Sequence, residues 1–156
     1  MFRFGTNELS VPGPDHRRRV DVRRVSAEAR KLTDSLNSIL IVDDSIIARK
    51  MTMKTFKLDR PNVDLLMASG GVEGVELYKS NRPDLVLMDL TMPDMMGFEA
   101  LEIIREFDPN ARVIIVSADI QAKARERCEN SGAIAVLPKP FKIEAVNDII
   151  RQHFSA

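Results

Sequence analysis

The chain has 156 residues, room for one ordinary domain and some extra length, and its 44% hydrophobic and 29% charged content is that of a globular protein able to fill one core. Its 23 basic and 23 acidic residues cancel, so the overall balance gives no pull toward nucleic acid or a membrane surface. The single cysteine, Cys128, excludes an intrachain disulfide and fits a reducing cytoplasm. The apolar runs are too short to span a bilayer, and the N-terminus lacks the apolar stretch and cleavage site of a secretory signal.

Residues 1–37 differ from the rest. Eight basic side chains stand there against five acidic ones, a net +3 that leaves −3 for residues 38–156. Val11–Pro14 holds two prolines and a glycine, which resist regular structure. Ser26–Leu36 can form a short helix with Ser26 as its N-cap. The segment reads as a mostly disordered, Arg-rich extension with a helical arm, and residues 38–156 as the folded domain. The Arg17–Arg24 cluster is more simply a solvated tail than a site for an acidic partner.

From Ser38 the pattern is regular. Ile39–Val42 is a short continuous apolar run ending in Asp43-Asp44, and predicts a first strand. Ile47, Met51, Thr55 and Leu58 then recur at helical spacing. Val63–Ala68 predicts the second strand, and Val72, Val75 and Tyr78 the helix after it. Asp84–Met88 predicts the third strand, followed by Asp89; Phe98, Leu101 and Ile104 mark the next helix. Val113–Val116 leads into Ser117, and a helix from about Gln121 is stopped by Gly132. Ile134–Leu137 leads to Lys139, and Val146, Ile149, Ile150 and Phe154 mark the last helix. Continuous rather than alternating apolar strands suggest a sheet covered on both faces. Strand–helix alternation implies right-handed crossovers and a parallel α/β sheet, with ligand sites beyond the strand C-terminal ends.

Asp43, Asp44, Asp89, Ser117 and Lys139 all fall at those ends. Taken singly, an Asp there is usually a cap and a lone Lys usually surface. Five suitable residues at five expected ends are far more specific. Three carboxylates brought together repel unless a cation compensates them. Oxygen-only ligation suits Mg²⁺, and no His or Cys neighbours the cluster to suggest Zn²⁺. A carboxylate beside Mg²⁺, an ammonium and a hydroxyl is a phosphoryl-transfer constellation, with Asp as the nucleophile.

The set resembles the receiver domain of two-component response regulators over roughly residues 38–155. The motifs are Asp43-Asp44-Ser45 after Ile39–Val42, Asp89 after Leu85–Met88, Met92-Pro93 with Gly97, Ser117-Ala118 after Val113–Val116, and Lys139-Pro140-Phe141. Spacings match too: 45 residues separate Asp44 from Asp89, 28 separate Asp89 from Ser117, and 50 separate Asp89 from Lys139. The resemblance implies a flavodoxin-like, doubly wound five-stranded sheet in the order 2-1-3-4-5 with five flanking helices. It implies Asp89 as phosphoacceptor, with Mg²⁺ ligated by Asp44, Asp89 and the backbone carbonyl of Thr91, and by Asp43 partly through water. Ser117 and Lys139 would hold the phosphoryl oxygens, small Ala118 would leave the site open, and the bond before Pro140 would be cis. The partners implied are a sensor histidine kinase or phosphotransfer protein and a downstream protein, with no direct DNA binding and no membrane.

Departures and leftovers bear on this reading. Met96 stands where an Asp or Asn commonly precedes the glycine, a loop contact whose loss spares the chemistry. Val136 replaces a common aromatic and argues against an aromatic-rotamer switch, while the Ser117 loop can still move. Thr91 and Asp119 occupy positions that tune dephosphorylation. Met51, Met53, Met67 and Met88 read as core filling, and Met92, Met95 and Met96 as loop packing or a partner surface. Cys128 reads as structural, and neither His16 nor His153 accompanies a nucleophile. With about 15 residues after Phe141, output is expected through a protein partner or the N-terminal extension, and the closest likeness is to stand-alone chemotaxis-type regulators. The chain is then a signalling domain that catalyses only its own phosphorylation and dephosphorylation. An aspartyl phosphohydrolase would want a second Asp where Thr91 stands, and a docking module without chemistry would not need the full five-residue site.

Overall fold

Five runs rich in Ile, Leu and Val form strands in a computed structural model that describes residues 36–154, all within the unit Leu32–Ala156. They are β1 (Ser38–Val42), β2 (Asp64–Ala68), β3 (Leu85–Asp89), β4 (Val113–Ser117) and β5 (Ala135–Pro138). Between and after them run α1 (Ile46–Asp59), α2 (Gly71–Asn81), α3 (Gly97–Phe107), α4 (Ala122–Asn130) and α5 (Ile143–Phe154). The sheet order is β2-β1-β3-β4-β5 and every pairing is parallel. This is the doubly wound arrangement expected, with each strand limit within one residue of its sequence reading. The expected disordered extension of residues 1–37 and its helical arm at Ser26–Leu36 lie outside the described residues but for Leu36 and Asn37.

The two-residue period of a strand sorts the core into two layers. Leu40, Val42, Val86, Met88, Val113 and Ile115 pack on one face with Tyr78, Leu101 and Ile104. Ile39, Ile41, Leu85, Leu87, Ile114 and Val116 pack on the other with Phe56, Val146 and Ile150. Both faces are covered over the inner strands β1, β3 and β4, which is why their apolar runs are unbroken. Each such side chain contributes about 1.5–3 kcal/mol on full burial.

Helix α1 departs from the sequence reading. Ser45 caps it, accepting the Ala48 N–H at 3.2 Å, and Phe56 seats it on the sheet with no exposure. The stripe of Ile47, Met51 and Leu58 lies roughly 140–180° round the helix from Phe56. It therefore faces solvent, with exposures of 72%, 66% and 78%. Met51 is thus no core filler, nor is the exposed Met67 on edge strand β2, whereas Met53 and Met88 pack inward. Met92 is buried, and Met95 packs against the same core layer. Helix α4 stops as expected at Gly132, whose φ of +94° suits a residue without a side chain.

The first core layer also takes Val136 at 6% exposure, an aliphatic plug in β5. At the opposite end of the sheet, Leu36 is buried at 3% exposure ahead of β1. There the Asp84 carboxylate accepts the backbone N–H groups of Asn37 at 2.7 Å and Ser38 at 3.1 Å.

Candidate metal centre

Asp43 and Asp44 are delivered by the end of β1, where the chain leaves the sheet for α1. The Asp43 backbone N–H still donates to the Ala68 carbonyl at 3.1 Å, so the sheet ladder holds the first carboxylate in place. Its Oδ1 accepts the Ser45 N–H at 2.9 Å, and its Oδ2 meets Lys139 Nζ at 2.6 Å. Asp43 is buried, while Asp44 is exposed.

Asp89 is the last residue of β3 and is 9% exposed. Its position depends on Gly97. A Cβ at residue 97 would collide with the Asp89 carbonyl oxygen and lie 2.8 Å from Leu90 Cα, so only glycine lets α3 begin against the Asp89 backbone. The Gly97 N–H donates to the Leu90 carbonyl at 2.7 Å and closes that loop.

Oxygens of Asp43, Asp44 and Asp89 lie within 4.8 Å of one another. Lys139 Nζ sits between two of them, 2.6 Å from Asp43 and 3.3 Å from Asp89. One ammonium against three carboxylates leaves the cluster short of positive charge. Burial, chiefly, pushes the Asp89 carboxyl above its ordinary range; Lys139 opposes this and the Asp43 charge adds to it. Burial works against the Lys139 ammonium, but the hydrogen bond to Asp43 and the two carboxylate charges outweigh it, so its pKa is raised. A cluster of oxygen donors in charge deficit, partly open at Asp44, fits a hard divalent cation that keeps some of its water.

Lys139 is held by its own backbone, whose N–H donates to the Ser117 carbonyl at 2.8 Å, and its bond to Pro140 is cis, as the resemblance implies. Ser117 ends β4 and is buried. Its hydroxyl donates to the Asp119 carbonyl at 3.0 Å and accepts the Asp119 N–H at 3.3 Å, so it is engaged within its own loop. Thr91 is exposed, and its backbone N–H donates to Asp89. Met96, in place of the usual Asp or Asn, is the N-cap of α3, and Glu99 reaches back to accept its N–H at 3.1 Å.

Sequence reasoning missed Arg49. Its Nη1 donates to the Asp43 carbonyl at 2.6 Å and braces the turn that presents both carboxylates. In the sequence it is one basic residue among several in α1, with no spacing to mark it.

Residues 39–151 match the family model described as the response regulator receiver domain. The chain is 36% identical over 118 residues to the chemotaxis protein CheY of Halobacterium salinarum, covering 76% of this chain and 97% of that one. It is 31% identical over 115 residues to sporulation initiation phosphotransferase F of Bacillus subtilis, covering 74% and 91%. Among solved structures, it is similar to a chain of the CheX-CheY-BeF3-Mg²⁺ complex from Borrelia burgdorferi. The TM-score there is 0.71 at 33% identity, covering 77% of this chain and 90% of that one.

Proposed function

The chain belongs to the response regulator receiver family, and on that premise we propose that it takes a phosphoryl group onto Asp89 from a histidine-phosphorylated donor, with Mg²⁺, and then changes its affinity for a protein partner. Receiver domains are phosphoacceptor signalling domains. The observation that carries the finer reading is the convergence of Asp43, Asp44 and Asp89 around Lys139 Nζ at the C-terminal rim of the sheet.

In the transfer, an Asp89 carboxylate oxygen attacks phosphorus. The bond from phosphorus to the donor's imidazole nitrogen breaks and its electron pair stays on nitrogen. Lys139 neutralises charge on the transferring oxygens. The Ser117 hydroxyl exchanges the Asp119 carbonyl for a phosphoryl oxygen, which couples the site to the loop after β4. Asp44, Asp89 and the Thr91 carbonyl would hold Mg²⁺. Asp43, already committed to Lys139 and the Ser45 N–H, would reach it through water. When bound, the cation supplies the missing positive charge.

The donor fits α1. The apolar stripe of Ile47, Met51 and Leu58 runs about 16 Å along the helix from beside Asp44, with Lys50, Lys54 and Lys57 next to it. An amphipathic helix with acidic flanks matches that surface and would bring its phosphohistidine to the site. The lone buried thiol, Cys128, suits work in the cytoplasm.

The test is intact mass after incubation with acetyl phosphate and Mg²⁺. A Mg²⁺-dependent gain of one phosphoryl group, absent in Asp89→Asn, is expected; no gain in the folded wild type overturns the reading. In a second arm, Met51→Glu is expected to slow transfer from a phosphohistidine donor and to leave labelling by acetyl phosphate intact.

A further inference from the structure

Helix α2 begins without a cap of its own. Its N-cap is Gly70, which has no side chain to offer the first-turn N–H groups. Those groups are satisfied from another element. Asp94 Oδ1 accepts the Gly71 N–H at 3.1 Å, and Asp94 Oδ2 accepts the Val72 N–H at 3.0 Å. A cap is ordinarily the residue that starts the helix; here the carboxylate comes from the loop between β3 and α3.

The seating is tight. A Cβ at Gly70 would lie 2.7 Å from Asp94 Oδ2, and one at Gly71 would lie 2.8 Å from Met95 Cβ. Two glycines therefore let the loop press onto the start of the helix, and both carboxylate oxygens are used once it is there. The same loop runs from Asp89 through Thr91 to Gly97. Its segment Pro93 and Asp94, facing Ser69, Gly70 and Asp44, walls an open cleft of about 400 Å³ beside the carboxylates.

We propose that Asp94 is a positioning residue, a helix cap supplied from across the site that locks the loop carrying the Thr91 carbonyl and so sets the geometry of the cation site. This rests on the reading of that carbonyl as a Mg²⁺ ligand. The carboxylate itself touches neither cation nor phosphoryl group. It acts by removing the loop's freedom, in the way that outer partners orient metal ligands. Helix α2 is the fixed body, since Val75 and Tyr78 anchor it in the core. The loop is the part that is set.

The experiment uses the full chain and three substitutions: Asp94→Ala, which removes both acceptors; Asp94→Asn, which keeps one; and Gly70→Ala, whose Cβ would crowd the Asp94 carboxylate out of its seat from the helix side. Mg²⁺ affinity is read by titration calorimetry, and acetyl phosphate labelling is followed against Mg²⁺ concentration. Asp94→Ala is expected to weaken Mg²⁺ about tenfold, with Asp94→Asn losing less and Gly70→Ala matching the alanine variant. Labelling of each should return to the wild-type rate at saturating Mg²⁺. A purely structural cap would lower the melting temperature and leave Mg²⁺ affinity unchanged, and that outcome overturns the proposal. If Asp94→Ala does not fold, an unchanged affinity in Asp94→Asn and Gly70→Ala overturns it equally. Failure of the wild type to bind Mg²⁺ would instead remove the reading beneath it.

Discussion

Ile114 and Asp89 sit on adjacent strands, two register steps apart, and both are withdrawn from water, at 0% and 9% exposure. In the body of the sheet, burial is what holds the fold together: Ile114 moves apolar surface out of solvent and fills its layer. At the rim the same withdrawal is a cost, because it raises the free energy of a carboxylate that the proposed chemistry needs ionised. The body carries stability and the rim consumes some of it. What makes the rim tolerable is Lys139 and, on the proposed reading, a cation.

Three substitutions test that contrast. The largest loss is expected in the body. Ile114→Ala should cost about 2–5 kcal/mol in denaturant unfolding, while the protein that remains folded still takes up one phosphoryl group from acetyl phosphate. Lys139→Met is expected to cost less, on the order of 1–3 kcal/mol, because water reaches a lysine side chain that is 27% exposed. Added Mg²⁺ should recover part of that loss; a loss matching Ile114→Ala and indifferent to Mg²⁺ would place the rim inside the stability core. Asp89→Asn should give the smallest effect, and of opposite sign. Asp89 has a raised pKa when folded, so its proton stabilises the fold at low pH, and that stability is lost as pH rises through the folded value. The asparagine variant is therefore expected to melt higher than wild type near neutral pH without Mg²⁺, with the gain vanishing below the ordinary carboxylate range. Equal melting curves at neutral pH would show that burial does not strain Asp89.

Much of this was legible in the chain. Five short, mostly apolar runs, each closed by Asp, Ser or Pro, gave strand number, parallel pairing and the edge where chemistry gathers. Asp43, Asp44, Asp89 and Lys139 come together as their strand ends required. The orientation of α1 was not legible. Spacing reveals that Ile47, Met51 and Leu58 share a face but not which way it points, and the single aromatic Phe56 on the opposite side decides it. Ser117 was placed correctly, but its bond to the Asp119 carbonyl follows from loop geometry that residue types do not encode. Asp94 and Arg49 were invisible for a related reason. Each acts on a backbone group that every residue possesses, so no pattern of side chains marks the partner.

The clamp of Asp84 on Asn37 and Ser38, with Leu36 tucked into the core, has a practical consequence. It fixes the entry of the chain at the N-terminal ends of the strands, about 16 Å of β1 away from the carboxylates. A tag, fluorophore or surface linker joined directly at Leu36, in place of residues 1–35, is thus attached at the far pole. A molecule immobilised by that handle presents its acidic rim outward, ready to be read by whatever flows past.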